Sequence, residues 1–297
     1  MIFSQIKNET REVLEQAFPF SVDKFPISFP DNIKAPFFGL LRSDGVPVGK
    51  TSVGEGYVPH SLEDVAALVE SSKAAFADVE GETEFEFECF WNDGHIVNVM
   101  PGVDFRREIA RNDSVYPKLS IRAGYDGSCF EATLGMFREA CTNLMFPKLV
   151  SGTTVKIRHT KSLPDRLEEL NARFRRMRAG WDGIVAEARE MDEREVRVSE
   201  ILRAVYGDVP EGASNTVAKN HHDRTEAIVN RLFDERDRLG RADLGKDIAT
   251  GWEVFNAVQG WEQHERRRNS KPSDFERAVL AAAEDSVRDV ERLVLAS

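Results

Sequence analysis

The sequence holds only three cysteines among 297 residues, Cys89, Cys129 and Cys141, too few and too widely spaced for a disulfide framework or a zinc knuckle. Reduced thiols are the simpler expectation, with Cys89 and Cys141 read as small core side chains because apolar residues surround them. No apolar run approaches the roughly 18 to 20 residues that a bilayer-spanning helix needs. The N-terminal stretch MIFSQIKNETREVLEQAF mixes acids and bases too freely for a secretory signal. These absences predict a cytoplasmic protein with no membrane partner. A formal charge of −11 also disfavours non-specific adhesion to nucleic acid by the molecule as a whole.

Recognisable chemistry is equally scarce. Gly45, Gly49, Lys50 and Thr51 imitate a phosphate-binding loop, yet three residues separate the glycines where four are needed, and SVGEGYVP follows instead of a helix. A hairpin with a surface lysine fits better. His221 and His222 point about 100° apart on a helix and cannot chelate one ion together without other ligands. Nothing in the sequence places Cys141 beside His60 or His95 as a nucleophile with its base. The expectation is therefore a non-enzyme with no catalytic residue, no metal and no cofactor.

What is present divides near residue 160. Before it, glycine, proline and phenylalanine are dense, and apolar runs are short. After it, Arg, Glu, Ala and Leu recur at helical spacing. This predicts an α+β protein: an α+β domain with two β-hairpins over residues 1–160, its antiparallel hairpin sheet packed by helices, and a long-helix region over residues 161–297. A helix is expected at 3–17, then a Pro/Phe-rich connector, then a hairpin of residues 36–41 and 46–53 turning at Ser43, Asp44 and Gly45. Ser61 caps the next helix, with Asp64 at the capping-box position.

In EFEFECFW, Phe85, Phe87, Cys89 and Trp91 share one face, with Glu84, Glu86 and Glu88 on the other. A three-residue Asn92-Asp93-Gly94 loop with a left-handed Gly94 pairs Cys89 with Val97 and Phe87 with Val99. A two-residue loop would set Cys89 against Asn98, so the longer loop is preferred. In KLSIRAGYDGSCFEATL, an Asp126-Gly127 turn pairs Ala123 with Phe130, Ile121 with Ala132 and Leu119 with Leu134. The opposite face then carries Arg122 against Glu131, which predicts a sheet with one dry side and one wet, charged side. Residues 137–146 read as helical or irregular, and 153–159 as a strand.

The second half carries Leu163, Leu167, Leu170, Phe174, Met177, Trp181, Ile184, Ala188 and Met191 at alternating spacings of four and three. Glu195 breaks the series, and Val198, Leu202 and Val205 resume it, a stripe of about six heptads and roughly 60 Å if unbroken. Gly180 and Gly183 weaken its middle. Further helices are expected at 216–239, 247–268 and 273–295, the last with Phe275, Val279, Ala283, Val287, Val290 and Val294 aligned.

Charge is distributed unevenly. Between Lys148 and Arg178, nine bases face three acids, so the stretch carries +6 and, with −11 in total, the remainder carries −17. Arg173, Arg175, Arg176 and Arg178 fall within about one and a half helical turns. Such a strip is either a phosphate-backbone site or a solvated, salt-bridged helix face.

Several stretches together resemble the phage/plasmid-like domain-of-unknown-function family 932. They are residues 38–44 (FGLLRSD), Val48-Gly49, Tyr57-Val58-Pro59, residues 125–128 (YDGS), 141–143 (CTN), 157–160 (IRHT) and 252–268 (WEVFNAVQGWEQHERRR). The resemblance spans residues 37–268; Gly135-Met136-Phe137 replaces the more usual Thr-Pro-Val. It implies a gene carried by phages and plasmids and brings no catalytic residue with it.

At the level of fold alone, hairpins followed by a basic element and a helical region are similar to the single-strand annealing proteins of phage recombination systems. That analogy implies an oligomer holding single-stranded nucleic acid in a cationic groove. Lys156, Arg158, Arg173, Arg175, Arg176 and Arg178 would contact phosphates, assisted by Lys118 and Arg122, with exposed Tyr125 or Phe90 for stacking. The alternative is an assembly or inhibitory factor that docks its helices or acidic surface on a host or phage protein. An enzyme of unfamiliar mechanism ranks third.

Overall fold

The structure is a computed structural model that describes residues 8–77, 85–91, 94–101, 105–125, 130–138, 144–145, 154–157, 167–267, 277, 281 and 284–296. It is a mixed α+β protein with antiparallel sheets. Two compact units make it up, and neither is one continuous run of chain. The first comprises Met1–Asp104, Lys118–Leu134 and Gly152–Ala179; the second comprises Phe105–Pro117, Gly135–Ser151 and Gly180–Ser297.

In the first unit, the alternating EFEFECFW segment forms β4 (Phe85–Trp91), which pairs with β5 (Gly94–Pro101). Cys89 opposes Val97, Phe87 opposes Val99 and Trp91 opposes His95, the register a three-residue loop requires. The tip, Asn92 and Asp93, lies outside the described residues. Gly94 has a reason of its own to be glycine: a Cβ there would sit 2.5 Å from the Ala123 carbonyl oxygen. β5 pairs in turn with β7 (Asp113–Gly124), so that Val97 faces Ile121. β7 neighbours β8 (Phe130–Arg138), and β8 pairs with β10 (Thr154–Ile157), with Ala132 opposite Val155. The Asp126-Gly127 turn lies outside the described residues.

α2 (Leu62–Phe76) packs against β5 and begins with the expected capping box, Ser61 and Asp64 each satisfying the other's backbone N–H. Val65, Leu68, Val69 and Phe76 of α2 are buried, as are Val97, Val99, Leu119 and Ile121 of the sheet. Each contributes about 1.5–3 kcal/mol by leaving water. α1 (Asn8–Ala17) lies beside α2.

A separate three-stranded sheet contains β2 (Lys34–Arg42) and β3 (Pro47–Val53), joined at Gly45, whose φ of +86° suits glycine. Its third strand, β1 (Val22–Ser28), runs through the segment read as a connector. Pro26 there lacks a ladder donor, which an edge strand tolerates.

Two expectations for the sheet are corrected. Phe137 and Arg138 stay in strand, and β9 (Leu144–Met145) pairs with Met136 and Phe137, because the inward–outward alternation of β8 carries on through that segment. The face expected to be wet is dry around Lys118, Ser120 and Asn98, all buried. Lys118 donates to Glu88 at 2.7 Å, and the Asn98 amide donates to the same carboxylate at 3.2 Å. Pairing of this kind is what lets a lysine leave water.

In the second unit, β6 (Arg107–Ala110) pairs with the start of β7. α3 (Leu167–Glu193), whose residues up to Ala179 belong to the first unit, contains Gly180 and Gly183 within one unbroken helix of about 40 Å. Phe174, Met177, Trp181, Ile184, Ala188 and Met191 are buried along it, as the 4-3 spacing requires. The stripe does not continue as a single rod to Val205. β11 (Glu195–Arg197) intervenes, paired with β12 (Ile248–Thr250), and α4 (Val198–Tyr206) follows. That short ladder redirects the chain where Glu195 interrupts the pattern.

α5 (Asn215–Leu239) is capped by Ser214 and ends at Gly240 in the left-handed conformation. The helix expected at 247–268 is instead β12, α6 (Gly251–Gly260) and a π-helical turn over Trp261–Glu265. Every residue of α6 is buried, so it is the centre of this unit. α7 (Asp285–Ala296) buries Val287, Val290 and Val294, while Phe275, Val279 and Ala283 of the expected stripe lie outside the described residues. A Cβ on Gly251 would meet Val294 Cγ1 at 2.0 Å, so glycine sets how closely α6 and α7 approach.

Candidate functional site

The four clustered arginines lie on the first part of α3, where Phe174 and Met177 face inward. At 100° per residue, Arg175 and Arg176 project away from that apolar face. Both are exposed, and neither makes an ion pair among the described residues. Arg173 is half-buried. Arg178 is half-buried too and donates to the carbonyls of Ala75 at 3.3 Å and Ala77 at 3.1 Å. It thereby satisfies the C-terminal end of α2, where a cation complements the helix dipole.

The sheet cations are differently placed. Arg122 is exposed on β7. Lys156 is exposed on β10 but lies 3.2 Å from Glu131 of β8, which cancels its charge locally. Lys118 is buried against Glu88 and cannot reach a strand of nucleic acid, and Tyr125 is buried as well; both were expected at the surface. Arg158 lies outside the described residues.

Sequence reasoning missed a second feature. His60 immediately precedes the Ser61 cap of α2, and His95 sits one residue into β5, opposite Trp91. Folding brings them together: His60 Nε2 and His95 Nδ1 are 2.9 Å apart, and both side chains are buried. Tyr125, just past β7, stacks on His60 with ring centroids 4.0 Å apart, and its hydroxyl donates to the His60 carbonyl at 2.9 Å. Phe18 meets His95 edge-on at 4.6 Å, and Trp91 does so at 5.2 Å. Burial drives the His95 pKa down from its ordinary 6.5 to about 4, so the ring is neutral at pH 7. Burial likewise raises the Tyr125 hydroxyl far above its usual range.

His60, His95 and Tyr125 line a cleft of about 560 Å³, together with Phe18, Phe20 and Asp23. His95 Nε2 has no hydrogen-bond partner among the described residues. No local signal in the sequence links positions 60, 95 and 125; they are neighbours because β5 pairs with β7 beside the α2 cap.

The remaining candidates stay apart. Gly49, Lys50 and Thr51 belong to strand β3, with no helix N-terminus following them. His221 bonds to the Gly207 carbonyl and His222 lies beside Glu226. No group of three His, Cys, Asp or Glu suited to a metal occurs among the described residues. Burial, with Glu88 adding to it, pushes the Cys89 thiol up to about 11, which makes it a poor nucleophile near neutrality. Cys141 lies outside the described residues.

A family model described as Domain of unknown function (DUF932) matches residues 51–292. The chain belongs to the DUF932 family. In this DUF932 chain the match begins after residues 38–49, which also resembled the family, and it extends beyond Arg268 into α7. His60, His95, Tyr125 and the α3 arginines all fall within it. No curated protein and no solved structure matches this DUF932 chain. No helix among its described residues is long and apolar enough to cross a membrane.

Two surfaces of the first unit thus have chemical potential in this DUF932 protein. One is a short cationic face on α3, suited to phosphate oxygens. The other is an aromatic, histidine-lined cleft.

Proposed function

We propose that this chain is a non-catalytic, phage- or plasmid-borne protein that binds single-stranded nucleic acid in the host cytoplasm and acts as an oligomer, with strand annealing as its activity. The observation that carries the reading is that Arg175 and Arg176 remain exposed, without a carboxylate partner among the described residues, on a protein whose net charge is −11. A local unpaired cationic face on an acidic molecule concentrates phosphate contacts at one place. Arg122 is a further exposed cation of the same unit, and Lys118 drops out of the contact set because it is buried.

Fluorescence anisotropy of a labelled single-stranded oligonucleotide, titrated with the full chain at increasing salt, tests the reading. Binding weakens with salt, and replacing Arg175 and Arg176 by alanine lowers the log–log slope by about 1.4, at about 0.7 per phosphate contact on a single strand. Salt-insensitive binding, or none at low salt, overturns it. Size-exclusion with light scattering, with and without the oligonucleotide, reports the oligomer.

A second reading, a factor that docks on a host or phage protein, draws on the exposed apolar side chains Phe25, Phe29 and Ile33, exposed 47%, 50% and 61%. It predicts a stable complex with a partner protein and no affinity for oligonucleotides.

A further inference from the structure

The three-stranded sheet of the first unit buries one face and leaves the other to solvent. Val22, Leu40, Val48 and Val53 are buried together, with Phe38 packed against them. Alternation sends the intervening residues to the opposite face. There Phe25 stands across from Gly39, Ile27 lies 3.6 Å from the position a Gly39 Cβ would take, and Leu41 stands across from Pro47. Phe29 meets Phe37 edge-on at 6.2 Å. A sheet face turned to water ordinarily carries polar side chains. This one is apolar at each of these positions; Phe25 and Phe29 are exposed on it, and Ile33 is exposed beside them past the turn. A contiguous apolar patch of this kind marks an interaction site.

Charge selects the occupant. β1 and β2 contain four charged residues, Asp23, Lys24, Lys34 and Arg42. Lys24 donates to the carbonyls of Glu55 and Tyr57, and Arg42 pairs with Asp44. Asp23 and Lys34 remain: both are exposed, and neither has an ion pair among the described residues. They sit at opposite ends of the patch, Asp23 beside the Val22–Arg42 pair and Lys34 beside the turn. Such a surface matches itself. Two copies stacked face to face about a two-fold axis that crosses the strands run those strands in opposite directions, so each Asp23 meets Lys34 of the partner copy and apolar side chains meet their equivalents. A two-fold along the strands would set Asp23 against Asp23, which is unfavourable. Nucleic acid is a poorer occupant, because one lysine beside two acids, Asp23 and the exposed Asp31 of the turn, makes no phosphate site.

We infer that the outer face of the β1–β2–β3 sheet is a two-fold contact between copies of this chain, made by Phe25, Phe29 and Ile33 and oriented by Asp23 and Lys34. It rests on the oligomer of the functional reading above and is independent of Arg175 and Arg176. From strand length and spacing the sheet measures only about 25 by 14 Å. That is the small end of specific interfaces, so the dimer is weak.

Sedimentation velocity of the full chain without oligonucleotide, over about 5 to 500 μM, tests the contact. The parent chain shifts from monomer toward dimer across that range, and Phe25→Glu with Ile33→Glu stays monomeric. Asp23→Lys weakens dimerisation at least about threefold, and adding Lys34→Asp restores it. Circular dichroism checks each variant; if the glutamate pair does not fold, the charge swap decides alone. A parent chain that stays monomeric overturns the contact and leaves the face to a foreign protein. An oligomer that survives in the glutamate variant overturns this contact while sparing the oligomer itself. So does a charge-swapped chain that associates no better than Asp23→Lys. Oligonucleotide anisotropy on the same variants reads nucleic-acid binding separately, since Arg175 and Arg176 are unchanged in them.

Discussion

Arg138 grips Asp113 through two parallel hydrogen bonds of 2.7 Å, at a place where both side chains are shut off from solvent. Asp113 also accepts from the Trp252 indole at 2.9 Å and from Arg241 at 3.3 Å, and Arg241 reaches Asp192 at 2.7 Å. A parallel pair, Arg236 with Glu253, is buried nearby in sequence and ties α5 to the cap of α6. The second unit is therefore held together by a buried ionic network around its apolar centre. Removing Asp113 takes a shared buried partner from Arg138, Arg241 and the Trp252 indole at once, so Asp113→Ala should cost about 3–5 kcal/mol in urea unfolding. The double variant Asp113→Leu with Arg138→Met should cost less than the two single changes added together. Additive costs would show that the two groups do not act as a pair.

Glu187 of α3 has its pKa raised, first by burial and then by hydrogen bonding to and repulsion from Glu291 of α7, with Glu190 adding to the repulsion. A carboxyl with a raised folded pKa stabilises the fold below its unfolded value of 4.5, and that contribution is lost as pH climbs through the folded value. Glu187→Gln keeps a donor toward Glu291 without the second charge. It should raise the melting temperature at pH 8–9 and leave it nearly unchanged near pH 4. A variant less stable than the parent at pH 9 would contradict the raised Glu187 pKa.

His95 titrates in the opposite sense. Its depressed value of about 4 means that the neutral ring stabilises the fold above the unfolded value of 6.5. That stability declines as pH falls from 6.5 through 4, by on the order of 3 kcal/mol in all. His95→Gln should flatten the acid limb of the stability profile over that window. Nuclear magnetic resonance of the His95 ring should show it neutral at pH 5.5; a protonated ring there would contradict its burial.

Arg178 should separate from Arg175 and Arg176 in function. Arg178→Ala strips the α2 carbonyls of their donor and should cost about 1 kcal/mol in unfolding. The Arg175→Ala, Arg176→Ala pair should leave stability within about 0.5 kcal/mol and act only on oligonucleotide affinity. Thermal melts run beside the anisotropy titrations check both outcomes.

Local pattern settled a good part of this protein. Period-two alternation set the register of Cys89 against Val97; the spacing Ser61 to Asp64 announced the cap of α2; the 4-3 series from Phe174 to Met191 marked the buried face of α3. Each depends on residues within a few positions of one another, so the periods of strand and helix decide them before any tertiary contact forms. What lay across long separations was decided only by folding. Pro26 gave no hint that it would sit in an edge strand beside Phe38. Lys118 looked like a surface cation until Glu88, 30 positions away, drew it into the protein. His60, His95 and Tyr125 share no motif, and their cleft exists because strand pairing brings β5 and β7 to the start of α2. Periodicity reports which face a side chain takes; it carries no information about the partner that face will meet, and burial of charge and assembly of a site depend on that partner.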